Sequence, residues 1–182
     1  MKIAILVGSL RKESYNLKIA NALIKLMSGK LIPEIVPIGQ LQLYNQDFED
    51  NLPTEWIDFR KKIKEFDALL FITPEYNRSM PAVLKNAIDV GSRPLANNVW
   101  NEKPGAIISV TPGRLGAFGA NHHLRQTFMA VNIPTMPQPE VYIGGAKNLF
   151  DSNNELVDKS IIELLEKFLA AYESWIAKNI VK

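Results

Sequence analysis

Ser9, Arg11, Lys12, Ser14 and Asn16 fall within one short stretch, Gly8-Ser9-Leu10-Arg11-Lys12-Glu13-Ser14-Tyr15-Asn16, that follows the apolar run Ile3 to Val7. Two hydroxyls and an amide offer side-chain donors, and a guanidinium and an ammonium offer charge. A helix beginning near Asn16 would add free backbone N–H groups and the positive end of its dipole, so the stretch suits an anion. It contains neither the G-x-G-x-x-G of a dinucleotide turn nor the G-x-x-x-x-G-K-[ST] of a triphosphate loop. That points to a single terminal phosphate, as on a mononucleotide such as FMN. A bland alternative stands beside it: Ser14 or Asn16 merely caps the helix.

Two further polar segments follow apolar runs. Thr73-Pro74-Glu75-Tyr76-Asn77-Arg78-Ser79-Met80-Pro81 follows Ala68 to Ile72. In it Tyr76 could stack on a flat ring while backbone groups of Pro74 to Asn77 bond the ring's polar edge. The alternative is a tight turn with an ordinary exposed tyrosine. Thr111-Pro112-Gly113-Arg114-Leu115-Gly116-Ala117-Phe118-Gly119 follows Gly105 to Val110. Its glycines either let backbone approach a ligand closely or mark a mobile connection. Arg78, Arg93 and Arg114 lie in or beside these loops and could meet the phosphates of a second substrate, or be solvated. His122 and His123 have no cysteine and no nearby carboxylate cluster to make a triad or a metal site, and read as structural or surface residues. The chain has no cysteine, which removes disulfides, thiolate nucleophiles and thiol redox pairs, so any redox chemistry needs a bound cofactor.

These loops must be positioned by the elements around them. Lys2 to Val7, Leu31 to Val36, Ala68 to Ile72 and Gly105 to Val110 read as strands, three of them continuous apolar runs of the kind buried on both faces. A fifth strand is supplied by Ile133 to Met136 or by Val141 to Ile143. Helical stripes appear from Asn16 to Met27, Trp56 to Phe66, Ala82 to Val90, Ala120 to Val131 and Ile161 to Ile176. Residues 37–53 read as an irregular surface loop whose Leu41, Leu43, Tyr44 and Phe48 pack over the core. Strands alternating with helices predict an α/β three-layer sandwich on a parallel sheet of about five strands, in which the three polar loops share one site at the strands' carboxyl ends.

At 182 residues the chain reads as one domain, residues 1–182, able to bury roughly 70% of its unfolded surface. Its 47% hydrophobic and 22% charged composition is that of a globular protein rather than a disordered one. A formal charge of +2 does not imply nucleic-acid binding, and the apolar runs are too short to span a bilayer. The cytoplasm is the default location.

With the loops placed, the chain resembles the NADPH-dependent FMN reductase family of flavodoxin-like quinone, azo-dye and chromate reductases. The resemblance rests on Gly8-Ser9-Leu10-Arg11 with Ser14 and Asn16, on Thr73-Pro74-Glu75-Tyr76-Asn77 continuing through Ser79 and Pro81, and on Leu84-Lys85-Asn86-Ala87-Ile88-Asp89 to Ser92-Arg93-Pro94. It implies a flavodoxin-like sandwich with strand order 2-1-3-4-5. It implies FMN held by Ser9, Leu10, Arg11, Ser14, Tyr15 and Asn16 at the phosphate and by Pro74, Glu75, Tyr76 and Asn77 at the ring, with Thr111 and Gly113 bordering it. NADPH or NADH would donate hydride, and quinone, azo, nitro or metal-oxyanion compounds, or free flavin, would accept. Arg78, Arg114 and Phe118 become possible contacts for either substrate. No metal and no catalytic side chain is expected, because the chemistry is on the flavin.

The family also implies a homodimer or homotetramer, with Pro81 to Arg93 near the subunit contact. The chain departs from the usual pattern at Val90-Gly91, where Trp and another bulky residue are common, and at Phe118-Gly119, where Ala-Arg is common. These departures bear on the substrate pocket and the assembly contact. A flavodoxin-type electron carrier would use the same loops without NAD(P)H turnover. A serine hydrolase, suggested by Gly8-Ser9-Leu10 after the first strand, lacks an evident histidine base oriented by a carboxylate.

Overall fold

Lys2–Val7 (β1), Ile32–Ile35 (β2), Ala68–Thr73 (β3), Gly105–Val110 (β4) and Val141–Ile143 (β5) pair in the order β2-β1-β3-β4-β5 in a computed structural model that describes residues 1–180. Every pairing is parallel. The order is that of the flavodoxin-like doubly wound sheet, with the reversal at β1 and β3. β3 and β4 are buried at every position, as expected of central strands covered on both faces, whereas β2 at the edge is half exposed.

Five helices complete the layers: Tyr15–Leu26 (α1), Thr54–Lys64 (α2), Ala82–Ser92 (α3), Phe118–Ala130 (α4) and Lys159–Asn179 (α5). The two-residue period of the strands divides the core. Ile3, Ile5, Val7, Leu70, Ile72 and Ile108 pack with Ile19 and Leu23 of α1 and Leu165, Phe168 and Tyr172 of α5. Ala4, Leu6, Leu69, Phe71 and Ile107 pack with Trp56 and Phe59 of α2, Leu84 and Ile88 of α3, and Leu124 and Phe128 of α4.

Of the two segments considered for the fifth strand, Val141–Ile143 takes the place beside β4, while Thr135 makes only an isolated bridge to Gly105. Helices α1 and α4 begin earlier than the stripes suggest, at Tyr15 and Phe118, where Ser14 caps the one and Ala117, in the left-handed region at φ 60°, leads into the other. The 37–53 segment is anchored as expected by Leu41, Tyr44 and Phe48 around Trp56, but Leu43 points outward. Asn86 of α3 holds this segment, donating to the Leu41 and Gln42 carbonyls and accepting from Tyr44 N at 2.8 Å.

The two departures from the family pattern in α3 lie inside the molecule rather than on its surface. Val90 and Gly91 are buried, and the space above Gly91 is filled by the indole of Trp100. Arg60, itself buried, donates to the Val90, Gly91 and Asn97 carbonyls and so closes the carboxyl end of α3; desolvation holds its pKa below the ordinary arginine value.

Candidate functional site

The loops after β1, β3 and β4 meet where the strand order reverses. Gly8 is the junction of the first two: a Cβ there would fall 2.5 Å from Leu84 Cδ1 and 3.0 Å from Pro74 Cδ, so only glycine lets the loops approach this closely.

In the first loop Ser14 is the N-cap of α1, with Oγ accepting from Leu17 N at 3.3 Å. Capping is thus part of its role, and it leaves the hydroxyl proton free to donate. The backbone N–H groups at the start of α1 have no intrahelical acceptor and supply further donors. Asn16 is buried, with one of the two N–H groups of Nδ2 turned to the Val110 carbonyl at 3.4 Å. Its Oδ1 is the buried side-chain atom that has no partner among the described residues. Arg11 folds back on its own loop, donating to the Glu13 carbonyl, with its guanidinium 5.5 Å from the centre of the Tyr15 ring. Tyr15 in turn stacks on Phe150, with centroids 6.3 Å apart. Ser9 is half-buried and Leu10 exposed.

The second loop is a tight turn. Tyr76 and Ser79 exchange two backbone hydrogen bonds of 2.9 Å, and Asn77 and Arg78 both take positive φ, 49° and 68°, as a type I′ turn requires. The Tyr76 ring stands out from it, 54% exposed. The alternative of a tight turn therefore describes the backbone correctly, and it presents a flat ring at the same time. The turn is fixed at both ends. Thr73 Oγ1 donates to the Pro74 carbonyl at 2.7 Å, and Ser79 Oγ lies 2.9 Å from His123 Nδ1. Glu75, largely buried, accepts from Ala120 N at 3.2 Å and lies 3.7 Å from Arg78. Gly119 permits this contact, because a Cβ there would lie 2.8 Å from the Arg78 carbonyl oxygen. The departure at Phe118-Gly119 thus brings α4 directly against the ring loop.

The third loop is held against β5 rather than mobile. Thr111 N donates to Ile143 O at 2.9 Å, Gly145 N donates to Gly113 O at 3.2 Å, and the buried Ser109 hydroxyl donates to Gly116 O at 2.7 Å. Gly116 has φ +59° and lies on the Tyr142 backbone, where a Cβ would fall 2.6 Å from the Tyr142 carbonyl carbon. Phe118, half exposed at the start of α4, packs on His122 with centroids 4.2 Å apart and on Tyr142 at 5.4 Å. The Tyr142 hydroxyl lies 3.0 Å from His122 Nε2. Burial, with the neighbouring Glu140 carboxylate, pushes the Tyr142 hydroxyl up to about 12.

The structure therefore gathers the first-loop residues, Pro74 to Arg78, and Thr111 to Phe118 at one edge of the sheet. Arg114 is exposed there. Arg93 is not part of this group: with Leu95, Asp89 and His123 it lines a cavity of about 540 Å³ between α3 and α4. His122 and His123 bond Tyr142 and Ser79, and among the described residues neither bonds Ser9 or a carboxylate, so these make no triad. No group of three or more histidine or carboxylate side chains able to hold a metal occurs among the described residues. Sequence reasoning missed Ser109 and Asn121 as supports of the third loop, both buried and bonded to each other at 3.3 Å; the signal for Ser109 is a polar residue inside the apolar run Gly105 to Val110, and Asn121 carries none.

The donor set fits FMN. A dianionic phosphate needs N–H and O–H donors of the kind offered at Ser9, Arg11, Ser14 and the start of α1. A flat ring needs a flat neighbour and backbone groups for its polar edge, as at Pro74 to Asn77. The unpartnered Oδ1 of Asn16 adds a buried acceptor in the first turn of α1.

The chain is matched over residues 1–148 by the model of a family described as NADPH-dependent FMN reductase. It is 51% identical over 178 residues to a quinone reductase of Pseudomonas putida, covering 97% of this chain and 95% of the relative. It is 42% identical to a 2-hydroxy-1,4-benzoquinone reductase of a Burkholderia species, covering 97% and 96%. Among solved structures it superposes with a TM-score of 0.93 on FerB, a flavoenzyme NAD(P)H:(acceptor) oxidoreductase from Paracoccus denitrificans that is 37% identical, over 99% of both chains.

Proposed function

From the premise that this chain belongs to the NADPH-dependent FMN reductase family, we infer that it is an FMN-dependent NAD(P)H oxidoreductase that reduces quinones. The observation that carries this from the residues is the junction at Gly8, where a loop of phosphate donors touches a loop that presents a flat aromatic ring. The relatives named as quinone reductases support the choice of acceptor.

In this reading Ser9, Arg11, Ser14, Asn16 and the first N–H groups of α1, with Leu10 and Tyr15 beside them, hold the phosphate. Pro74, Glu75, Tyr76 and Asn77 hold the ring, and Thr111 and Gly113 border it. FMN, when bound, supplies a carrier that takes two electrons as hydride from NAD(P)H and gives them to the acceptor. The side chains bind and orient. Tyr76 and Phe118 offer flat surfaces to the nicotinamide or the quinone, and Arg78 and Arg114 offer charge to phosphates or to an anionic quinone. Glu75 positions the ring loop by holding α4 against it. No side chain is required as general acid or base, and no metal takes part.

The same open face would pass electrons to azo, nitro or metal-oxyanion compounds, or to free flavin. We also propose a homodimer or homotetramer working in the cytoplasm. The groove between α3 and α4, where Met80 and the exposed Leu95 stand beside Lys85, Asp89 and Arg93, is the mixed apolar and charged surface that supports self-association. The test is the purified protein itself: it should hold FMN, and it should oxidise NADPH or NADH steadily when a benzoquinone is added. Retention of FMN with no turnover would instead make it a flavodoxin-type carrier. Failure to take up FMN would end the reading.

A further inference from the structure

Ser109 and Asn121, both wholly buried, stand between Arg125 of α4 and the third loop, and the three side chains form a line of hydrogen bonds with a single direction. A guanidinium has donors, no acceptor and a permanent charge, so Arg125 Nε donates to Asn121 Oδ1 at 3.1 Å. That contact fixes the Asn121 amide, whose Nδ2 then donates to Ser109 Oγ at 3.3 Å. The Ser109 hydroxyl accepts there and has one proton to give. It faces Gly116 O at 2.7 Å and Val141 O at 3.3 Å, and the shorter contact takes the proton.

Arg125 is also tied to the approach to β5, donating from Nη1 to the Met136 carbonyl at 3.0 Å and lying 3.5 Å from the Glu140 carboxylate. Without it the line loses its direction. Asn121 Oδ1 would be a buried acceptor with no donor, and the amide would turn to take the Ser109 proton for itself. The Gly116 carbonyl would then lose its donor, at three hydrogen bonds' remove from the substitution. Gly116 is the residue of the third loop that turns at φ +59° on the Tyr142 backbone, and Thr111 and Gly113 of the same loop border the ring in the flavin reading. We propose that Arg125 is a positioning residue for the candidate site: acting through Asn121, it commits the Ser109 proton to Gly116 and so holds the third loop in place. The effect on FMN rests on the flavin reading, whereas the effect on the loop does not.

Two measurements on the full chain test this: hydrogen exchange of residues 111–119 without flavin, and FMN affinity by quenching of flavin fluorescence. Ser109→Ala removes the last link and Arg125→Met the first. Each should speed exchange across 111–119 and weaken FMN, both about tenfold, the effect of one lost hydrogen bond. The double variant should do no more than either single one, because the Gly116 bond can be lost only once. Asn121→Asp keeps a partner for Arg125 but offers Ser109 only acceptors, so it should loosen the loop as Ser109→Ala does. If Arg125 served only to pack α4 on residues 136–140, Arg125→Met would leave exchange across 111–119 at the wild-type rate, and that result would overturn the proposal. So would losses that multiply to about a hundredfold in the double variant, or wild-type exchange in Asn121→Asp. Should the double variant not fold, Asn121→Asp decides alone. A wild-type chain that takes up no FMN would refute the flavin reading, while the exchange comparison would still decide the role of Arg125.

Discussion

Gly91 and Trp100 share one space. A Cβ on Gly91 would come within 2.5 Å of Trp100 Cζ2, and the indole is fixed there by donating from Nε1 to the Ile88 carbonyl at 2.9 Å. Gly91→Leu should therefore cost about 1–3 kcal/mol by overpacking, and Trp100→Ala about 3–5 kcal/mol by leaving a cavity. The two changes together should cost less than their sum, because the new side chain enters the vacated space. Urea unfolding of the four proteins measures this coupling, and strict additivity would count against a shared space.

The third loop depends on Gly116 more than on the neighbouring Gly145, although both have positive φ. Gly116→Ala meets the Tyr142 backbone, whereas nothing lies within 4 Å of the Cβ position at Gly145. Gly145→Ala should thus lose only about 1 kcal/mol, for the left-handed backbone. Gly116→Ala should lose that and about 1–3 kcal/mol more, and should weaken FMN as the loop shifts. Thermal unfolding and an FMN titration of the pair compare them directly.

Ser14 has two roles that a pair of substitutions separates. Ser14→Ala removes the cap and should cost about 1 kcal/mol in stability, whereas Ser14→Gly should cost only a few tenths. Both remove the hydroxyl donor, so both should weaken FMN about tenfold. An affinity loss that follows stability, large for Ala and small for Gly, would reduce Ser14 to its cap.

Replacing His122 and His123 together with Ala should leave quinone turnover within a factor of about ten, since neither ring is asked to move a proton in the redox step. Stopped-flow or steady-state kinetics on FMN-loaded protein decides this. A loss above about a hundredfold with flavin still bound would require a histidine acid or base.

The Tyr142 hydroxyl is pushed from 10.0 up to about 12, first by burial and then by the Glu140 carboxylate. A folded pKa above the unfolded one means that the neutral hydroxyl stabilises the fold fully below about pH 10, and that this contribution is lost as pH rises from about 10 toward about 12. The stability difference between wild type and Tyr142→Phe should hold steady from about pH 7 to 9 and then shrink through that window. Tyr172, buried and also raised, remains in both proteins and cancels. Urea midpoints across the range give the difference, and a gap that widens with pH would contradict the assignment.

The order of layers was legible because the parallel strands are continuous apolar runs and the helices carry clear stripes. The fifth strand was ambiguous because β5 is only three residues, Val141–Ile143, and Ile133 to Met136 looks equally suitable as strand. At the site the phosphate donors were legible as residue types, but their directions were not. Asn16 reads as a donor in a string of letters, and only the position of Val110, 94 residues away, shows that one of its two N–H groups is turned to β4 while its oxygen has no partner among the described residues. Gly119 reads as a loss against the family pattern, and only the fold shows that the missing side chain leaves room for Glu75 and the Arg78 carbonyl. Such pairings join residues far apart in the chain, and no local periodicity encodes them.

Pinned by Thr73 and Glu75 at one end and by the Ser79–His123 contact at the other, the Tyr76 turn is a wall and not a lid. A wall of this kind cannot fold over a reduced cofactor to shield it. With FMN bound as proposed, the turn would leave the exposed side of the ring to whichever acceptor arrives and would not itself select among them.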